Sequence, residues 1–316
     1  RIRLLADAFG VVAVSSGMAA IANAVLALAE AGSNVVTSRF LFGNTVSLFD
    51  STLKRWGLEA RAVDMTDLPS IGNAIDDRTR LLFLEVITNP QLEVADVAKI
   101  AALAARRGVP VVLDGTLTTP YLFKSRDAGV AVEVLSSTKY ISGGATSIGG
   151  LIIDNGTFDW AQNPLLRDDA KKIGPAALVA RLRREVYRNL GSCLSPHNAY
   201  LQALGLETLA LRAQRSCENA LAIARFLEGH GRVRSVNYPG LPGSPYHGIA
   251  ARQFNGRFGG LLTFELGSKQ ECFAFMDALK LVRRTTNLND NKTLALHPAS
   301  TIFCEHTPAQ RAAMGV

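Results

Sequence analysis

The sequence predicts an α/β fold in which a mostly parallel central sheet is covered by helices and followed by a smaller C-terminal α/β domain. Two observations predict it. Apolar strand-like segments alternate with helix-periodic segments over the first half of the chain, which is typical of a parallel sheet with helices on both faces. The pattern then changes from about Gly191 onward. The predicted strands of the central sheet span residues 11–14, 34–37, 60–64, 81–85, 109–114, 132–136 and 151–154.

Helical periodicity fills several gaps between these strands. A helix over residues 16–30 follows the first strand after a turn of small residues. Residues 95–107 form an alanine-rich helix that Asp96 opens and Gly108 ends. Strand, helix and strand therefore follow one another as parallel pairing requires.

The change of pattern divides the chain into a large domain over residues 1–190 and a smaller domain over residues 191–316. The smaller domain is predicted to contain one long helix, about residues 198–227, followed by strands within 232–236 and 258–266. A chain of 316 residues with 48% hydrophobic content can bury a large core and is long for a single domain.

The chain is basic, with a net charge of +7 from 34 Lys and Arg against 27 Asp and Glu. This charge suits an anionic small-molecule substrate or nucleic acid. The densest basic run lies within residues 181–188, on a predicted helix that also carries Glu185 and has little aromatic interleaving. The run is interpreted as a solvated face or a subunit contact, and no nucleic-acid partner is predicted.

Neither a metal site nor a membrane segment is predicted. The four cysteines are widely spread without a C-x-x-C pair, which indicates reduced thiols in a cytoplasmic protein. The five histidines show no i, i+4 pair, and His297 is interpreted as a structural hydrogen-bonding residue. No signal peptide opens the chain, and no run of about 18 apolar residues could span a bilayer.

Lys139 and Asp114 are the strongest candidates for catalytic side chains. Lys139 follows the strand at 132–136 and Asp114 ends the strand at 109–114, so a parallel sheet would aim both into the crevice beyond its strand ends. A partly desolvated lysine can form a Schiff base with a carbonyl. Pyridoxal phosphate requires such a lysine for its aldehyde and a carboxylate for its pyridine nitrogen. The alternative is a surface lysine that follows a buried strand.

A phosphate site is predicted from two segments. Residues 11–21 form a strand, a turn of small residues and the start of a helix, whose free N–H groups and dipole favour an anion. Gly17 would allow close approach to that helix start. Ser136 and Thr138 could also bind a phosphate. The alternative is an ordinary helix start with Ser16 as its N-cap.

These residues lie within seven motifs in which the chain resembles the pyridoxal-phosphate enzymes of cysteine and methionine metabolism. This family includes O-acetylhomoserine sulfhydrylases, cystathionine synthases and lyases, and methionine γ-lyases. The resemblance covers nearly the whole chain, and it implies the aspartate-aminotransferase-like fold known as fold type I. The motifs are SGMAA (16–20), LFGNT (41–45), EVITNP (85–90), DGT (114–116), SSTKY (136–140), SPHNA (195–199) and HPAST (297–301).

The resemblance implies a role for each matched residue. Lys139 would form the Schiff base with the cofactor and shuttle protons, and Asp114 would pair with the pyridinium nitrogen. Asn89 would hydrogen-bond the phenolic oxygen of the cofactor ring. Phe42 would stack on that ring, and it lacks the hydroxyl with which a tyrosine could act as acid or base. The implied phosphate contacts are Gly17, Met18, Ser136 and Thr138, and the substrate contacts are Asn287 and Ser300.

The chain departs from the family pattern at four places. Gly115 stands where Asn or Thr is common, and Leu135 stands where His is common. The family's N-terminal Tyr-x-Arg segment, which reaches a neighbouring subunit's phosphate, has no counterpart here. The C-terminal arginine that binds the substrate carboxylate is also missing. Both absences favour a fragment, a processed chain or a record of ordered residues only.

The resemblance implies γ-replacement on O-acetylhomoserine, or a similar O-acylhomoserine, with sulfide or a small thiol. The products would be homocysteine or methionine plus acetate. A homo-oligomer is also implied, at least a dimer and most simply a dimer of dimers. Elimination of the cystathionine γ-synthase/lyase or methionine γ-lyase type is the alternative reaction. The alternative of another class is a non-catalytic homologue or scaffold subunit.

Overall fold

The computed structural model describes the backbone of residues 1–316 and every side chain except that of Ala313. At its centre lies a seven-stranded sheet, and all seven predicted strands are present within one or two residues of their expected ends. The strands are β1 (Gly10–Val14), β2 (Asn34–Ser38), β3 (Glu59–Val63), β4 (Thr79–Glu85), β5 (Val111–Asp114), β6 (Val132–Ser136) and β7 (Gly150–Asp154).

The sheet is mostly parallel, which confirms the predicted fold class. Its strand order is β1-β7-β6-β5-β4-β2-β3, and the pairs from β3 to β6 are all parallel. Strand β7 runs antiparallel to both β6 and β1. In the parallel part, Glu85 pairs with Asp114 and Asp114 pairs with Val134. The last residues of β4, β5 and β6 therefore meet at one edge of the sheet.

Helices connect the strands and cover the sheet. Ser16 caps the second helix, with Ala19 N donating to Ser16 Oγ at 3.0 Å, and Asp96 caps the fifth by accepting from Lys99 N at 3.3 Å. The helices are α1 (Ile2–Ala6), α2 (Gly17–Leu28), α3 (Gly43–Ser47), α4 (Leu68–Ala74), α5 (Val97–Arg106), α6 (Thr119–Leu122), α7 (Arg167–Ile173), α8 (Ala177–Arg181), α9 (Tyr187–Leu190), α10 (Pro196–Glu207), α11 (Leu209–Glu228), α12 (His247–Gln253), α13 (Lys269–Ala278) and α14 (Pro308–Ala313). Among the described residues, no helix has both the length and the apolar character needed to cross a bilayer.

Strand β4 shows how both faces of the sheet are buried. Leu82 and Leu84 belong to one apolar core, which includes residues of α4 and α5. Leu81 and Phe83 point the other way, into a second core that includes residues of α2. Because successive side chains of a strand alternate between faces, a strand covered on both sides must be apolar throughout. This explains the continuous apolar runs that predict the strands.

The C-terminal part differs from the sequence prediction. The single helix predicted over residues 198–227 is wrong, because the chain leaves helical geometry at Thr208 and forms α10 and α11 instead. Gly205 near the end of α10 lies so close to another segment that a Cβ there would be 2.3 Å from Ile141 O. The predicted strands are present but shorter. They form β8 (Ser235–Asn237) and β9 (Thr263–Glu265), followed by β10 (Arg283–Arg284) and β11 (Leu294–Ala295).

Glu133 is a carboxyl group buried in the middle of β6. Ser125 Oγ donates to its Oε2 at 2.6 Å, whereas its Oε1 finds no hydrogen-bond partner among the described residues. Gly115 makes room for this side chain, since a Cβ at that position would lie 2.2 Å from Glu133 Oε1. A larger side chain at position 115 would have to displace the Glu133 carboxyl group. Burial is the main cause that raises the pKa of Glu133 to about 8.

We expect Glu133→Gln to flatten the pH dependence of stability between about pH 4.5 and about pH 8. The folded wild-type protein keeps a proton on Glu133 that the unfolded chain releases near pH 4.5, so its free energy of unfolding falls as the pH rises toward 8. The contribution of this one proton is at most about 1.4 kcal/mol per pH unit. Glutamine keeps the shape and can accept the bond from Ser125, but it has no such proton to release.

Chemical denaturation at several pH values in this range measures the slope. Glu228→Gln, at an exposed carboxylate on α11, is the matched control and should leave the slope as it is. The same slope in Glu133→Gln and wild type would contradict a protonated Glu133.

Candidate active site

One large cleft lies beyond the carboxyl ends of β4, β5 and β6, where open α/β sheets bind ligands. Its volume is about 2090 Å³, and residues on both sides of Gly191 line it. The structure brings all the predicted cofactor-binding residues to this cleft. They are Gly17, Met18, Phe42, Asn89, Asp114, Ser136, Thr138 and Lys139.

The N-terminus of α2 and the end of β6 form a narrow cradle. A Cβ on Gly17 would lie 2.7 Å from Ser136 Cβ and 3.0 Å from Ser136 Oγ, so only glycine allows this approach. Ser16 caps α2 as the ordinary interpretation predicts, but its hydroxyl accepts from Ala19 N and not from the first two residues of the helix. The N–H groups at a helix start have no intrahelical acceptor, so those of Gly17 and Met18 can bind an anion.

Hydrogen bonds fix the residues that follow β6. Ser136 N donates to Thr116 Oγ1 at 2.8 Å, which ties the end of β6 to the turn after β5. Gly149 N donates to Thr138 Oγ1 at 3.1 Å, which ties the turn after β6 to the residue just before β7. Neither Thr116 nor Gly149 has a role that the motifs in the sequence predict. Thr116 could have been found from its position two residues after Asp114, at the end of the neighbouring strand.

Lys139 extends into the cleft and meets the C-terminal part of the chain. Its Nζ donates to Asn287 Oδ1 at 2.6 Å, and Asn287 Nδ2 donates to Asp290 Oδ2 at 2.9 Å. Burial lowers the pKa of Lys139, and the nearby Asp290 carboxylate opposes part of that shift. A larger share of the amine is therefore neutral at a given pH than for a lysine in water, as a nucleophile or a general base requires.

The buried Glu85 and the partly buried Asp114 are neighbouring carboxyl groups at the edge of the sheet. Asp114 Oδ1 accepts a hydrogen bond from Thr116 N at 2.9 Å. Burial raises the pKa of Asp114, and burial together with repulsion from Asp114 raises the pKa of Glu85. A cationic ligand group beside Asp114 would offset this repulsion and favour the ionised carboxylate.

Glu85 lines the cleft as well, and the sequence alone does not predict a role for it. Its Oε1 accepts a hydrogen bond from Phe42 N at 2.5 Å, and the backbone of Asn89 also bonds to its carboxylate. One carboxyl group thus fixes two residues that the resemblance assigns to the cofactor ring. Its position could have identified Glu85 as a cleft residue, because Glu85 ends β4 just as Asp114 ends β5.

The structure separates the two predicted substrate residues. Asn287 lines the cleft and contacts Lys139. Ser300 is not among the described residues that line the cleft, and its Oγ lies 2.9 Å from His297 Nδ1. His297 has therefore a located hydrogen-bond partner, which agrees with a structural role. Among the described residues, no group of three or more His, Cys, Asp or Glu side chains could hold a metal ion.

The residues present fit pyridoxal phosphate. The cradle beside Gly17, which a Cβ would fill, leaves backbone N–H groups and the Ser136 hydroxyl for a phosphate. Lys139 supplies an amine of lowered pKa, and Asp114 supplies a partly buried carboxylate suited to a protonated ring nitrogen. Fold and site together define a pyridoxal-phosphate-dependent α/β enzyme of fold type I.

Comparison with known proteins identifies the family. The sequence model described as "Cys/Met metabolism PLP-dependent enzyme" matches residues 1–316. The whole chain aligns over 333 residues with an O-acetyl-L-homoserine sulfhydrylase of Corynebacterium glutamicum, at 37% identity and over 76% of that protein's length. The chain belongs to the family of pyridoxal-phosphate-dependent enzymes of cysteine and methionine metabolism.

Solved structures share the fold. An O-acetylhomoserine sulfhydrylase of Wolinella succinogenes superposes with a TM-score of 0.90 at 51% identity, covering 95% of this chain and 87% of that one. A Campylobacter jejuni protein described as an O-acetylhomoserine (thiol)-lyase contains N'-pyridoxyl-lysine-5'-monophosphate. It superposes with a TM-score of 0.91 at 34% identity, covering 100% of this chain and 78% of that one. The predicted fold type and the predicted cofactor are thus confirmed.

Gly17→Ala should weaken the binding of pyridoxal phosphate by roughly tenfold or more, because the added methyl group would overlap Ser136 and push the cradle apart. Fluorescence titration of the cofactor-free protein with pyridoxal phosphate measures the dissociation constant. Gly231→Ala is the matched control, since a Cβ there would have no described atom within 4 Å. Equal affinities of the two variants would show that the cradle does not bind the cofactor.

Proposed function

We propose that this chain is an O-acylhomoserine sulfhydrylase. It joins sulfide or a small thiol to the γ-carbon of O-acetylhomoserine, or of a close acyl analogue, and releases the carboxylate, giving homocysteine or methionine. The observation that carries the proposal is the convergence of Lys139, Asp114 and the cradle at Gly17 in one cleft. The names of relatives at 37% and 51% identity support this choice of reaction within the family.

The cofactor would be held on all sides by residues of the cleft. Lys139 Nζ would bond the aldehyde carbon, and Asp114 would neutralise the ring nitrogen. Phe42 would cover one face of the ring, with Asn89 beside its phenolic oxygen. The proposed phosphate contacts are Gly17, Met18, Ser136 and Thr138. When bound, the cofactor supplies an aldehyde for the substrate amine and a ring that withdraws electrons from the substrate α-carbon.

Lys139 is the proposed proton carrier of the reaction. Its free Nζ removes the α-proton of the substrate and then moves the β-proton. The lowered pKa of this amine suits both transfers, because the neutral amine accepts a proton and the ammonium readily returns it. Asn287 Oδ1, 2.6 Å from Nζ, keeps the amine inside the cleft and is proposed to contact the substrate as well.

Phe42 supports replacement on an acylated homoserine over elimination of a thiol. Its ring lies at the cleft and can stack, but it has no proton to give. Acetate leaves as a stable carboxylate and needs no proton from the enzyme. A thiolate leaving group, as in cystathionine γ-lyase or methionine γ-lyase reactions, benefits from an acid near the sulfur. The side chain present therefore suits the acyl substrate better.

We further propose two domains, residues 1–190 and 191–316, with the substrate end of the cleft formed by Asn287 of the second and with Ser300 behind it, hydrogen-bonded to the cleft-lining His297. The cleft is lined from both sides of this boundary, which supports the division. The chain would act in the cytoplasm as a homo-oligomer, a dimer of dimers. Support for subunit contacts comes from exposed apolar side chains on the consecutive helices α10 and α11. They include Tyr200, Leu204, Leu211 and Phe226.

The reaction type is tested by supplying O-acetylhomoserine with and without sulfide. We expect homocysteine and acetate to form together when sulfide is present, and acetate release to fall roughly tenfold or more without it. Chromatographic quantification of acetate, homocysteine and 2-oxobutyrate separates the two reactions. Acetate and 2-oxobutyrate forming equally fast without a thiol would replace this proposal by γ-elimination.

Lys139→Ala should abolish the visible absorption band of the cofactor-loaded protein and lower turnover by roughly a hundredfold or more, since a general base contributes about that factor. In the wild type, borohydride should remove the band and leave the cofactor attached to the peptide that contains Lys139. Lys54→Ala, at an exposed lysine, is the control. A wild-type protein that shows neither the band nor turnover at saturating pyridoxal phosphate would favour the scaffold alternative. Normal turnover by a homogeneous preparation of this chain would exclude that alternative.

A further inference from the structure

Arg212 of α11 lines the cleft but has no part in the chemistry proposed above. Its half-buried guanidinium group makes three hydrogen bonds, and each uses a different nitrogen. Nη1 donates to Tyr140 O at 2.8 Å, Nη2 to Gly205 O at 2.6 Å and Nε to Thr208 Oγ1 at 2.9 Å. All three acceptors are atoms of the protein, so these hydrogen bonds stabilise the fold.

The three acceptors come from two segments that are far apart in the sequence. Gly205 and Thr208 lie where α10 ends. The last carbonyl groups of a helix have no donor within the helix and need hydrogen-bond donors from outside it. Tyr140 directly follows Lys139. One guanidinium group therefore connects the break between α10 and α11 to the turn that carries the lysine.

That turn can hardly move independently of Arg212. A Cβ on Gly143 would lie 2.5 Å from Arg212 Cζ, so the turn is packed directly on the guanidinium plane. Within the turn, Gly143 N donates to Lys139 O at 3.0 Å and Ser142 Oγ donates to Thr138 O at 3.0 Å. Residues 138–143 thus form one hydrogen-bonded unit, and Arg212 holds it at two points.

Two other segments also pack closely against residues 138–143. The Tyr140 ring is buried, and a Cβ on Gly260 would lie 2.7 Å from its Oη. Gly205 lies equally close to the other side of the turn, where a Cβ would be 2.3 Å from Ile141 O. Because Gly205 and Gly260 have no side chains, their backbones lie close to residues 138–143. The turn is therefore packed tightly against α10 and against the segment at Gly260.

We propose that Arg212 is a positioning residue for Lys139, which fixes the Tyr140 carbonyl to the end of α10 and thereby sets where the lysine amine lies in the cleft. This inference rests on the proposed function, in which Lys139 is the amine that bonds the cofactor and carries protons. The planar fork of an arginine reaches three acceptors at once. A lysine has a single nitrogen at its end and reaches fewer of them.

The test uses the cofactor-free protein and its variants Arg212→Met and Arg212→Lys. Labelling of Lys139 by trinitrobenzenesulfonate is followed over a pH series by peptide mass spectrometry, with the exposed Lys54 as internal reference. When the turn loosens, the amine leaves its partly desolvated position and is hydrated. We expect the midpoint of its labelling profile to move upward by roughly one pH unit in Arg212→Met, and by less in Arg212→Lys.

The reconstituted enzyme gives a second readout. Misplacement of the reacting amine should lower kcat by roughly ten- to a hundredfold in Arg212→Met, with a much smaller change in KM for O-acetylhomoserine. Arg225→Met, at an exposed arginine on the same helix, is the matched control and should change neither quantity.

An unchanged labelling midpoint in Arg212→Met overturns the proposal. A raised KM together with that unchanged midpoint would assign Arg212 to substrate binding, and the same midpoint shift in Arg225→Met would assign the effect to α11 as a whole. If Arg212→Met does not fold, Arg212→Lys is judged by the same criteria. Labelling needs no turnover, so a failure of the sulfhydrylase proposal leaves this result interpretable.

Discussion

The parallel pairing of β4, β5 and β6 is the constraint on which the site depends. Because Glu85 pairs with Asp114 and Asp114 pairs with Val134, the ends of three strands meet at one edge of the sheet. The antiparallel β7 then returns from the lysine turn beside the cradle, where a Cβ on its first residue, Gly150, would lie 2.0 Å from Ser16 O. The backbone that aims the carboxylate into the cleft therefore also positions the phosphate cradle and the lysine.

This arrangement concentrates carboxyl groups in the sheet. Glu85 is buried beside the partly buried Asp114, Glu133 is buried on the next strand, and desolvation raises the pKa of all three. Ionisation of several such groups destabilises the folded state unless a cation lies nearby. The protonated ring nitrogen of the cofactor would be such a cation. A ligand that binds only the folded protein stabilises it by mass action, so a cofactor that placed this cation beside Asp114 would also raise the stability of the fold.

The sheet could be predicted from the sequence because its strands are buried on both faces and are therefore continuous apolar runs. The end of α10 could not be predicted, because the helical pattern continues across Thr208 and the contacts at this end, such as that of Gly205 with Ile141, are made with distant residues. The same holds for Gly115. Its small size is explained by the Glu133 side chain on the neighbouring strand, and no local sequence pattern marks that contact.

In the candidate site, too, some residues can be predicted from local sequence motifs and others are brought in only by tertiary contacts. Motif residues such as Asp114 and Lys139 lie at strand ends, so the topology of the sheet alone brings them to the cleft. The residues that hold the lysine in place are not marked by their position at a strand end. Asn287 contacts the Lys139 amine and Arg212 contacts the Tyr140 carbonyl, and both come from the C-terminal part of the chain. The sheet holds Asp114, whereas Lys139 is held both by the end of β6 and by contacts from the C-terminal part. The distance between the amine and the carboxylate therefore depends also on how the C-terminal part packs on the sheet, and a substitution at that contact can alter the chemistry without touching either residue.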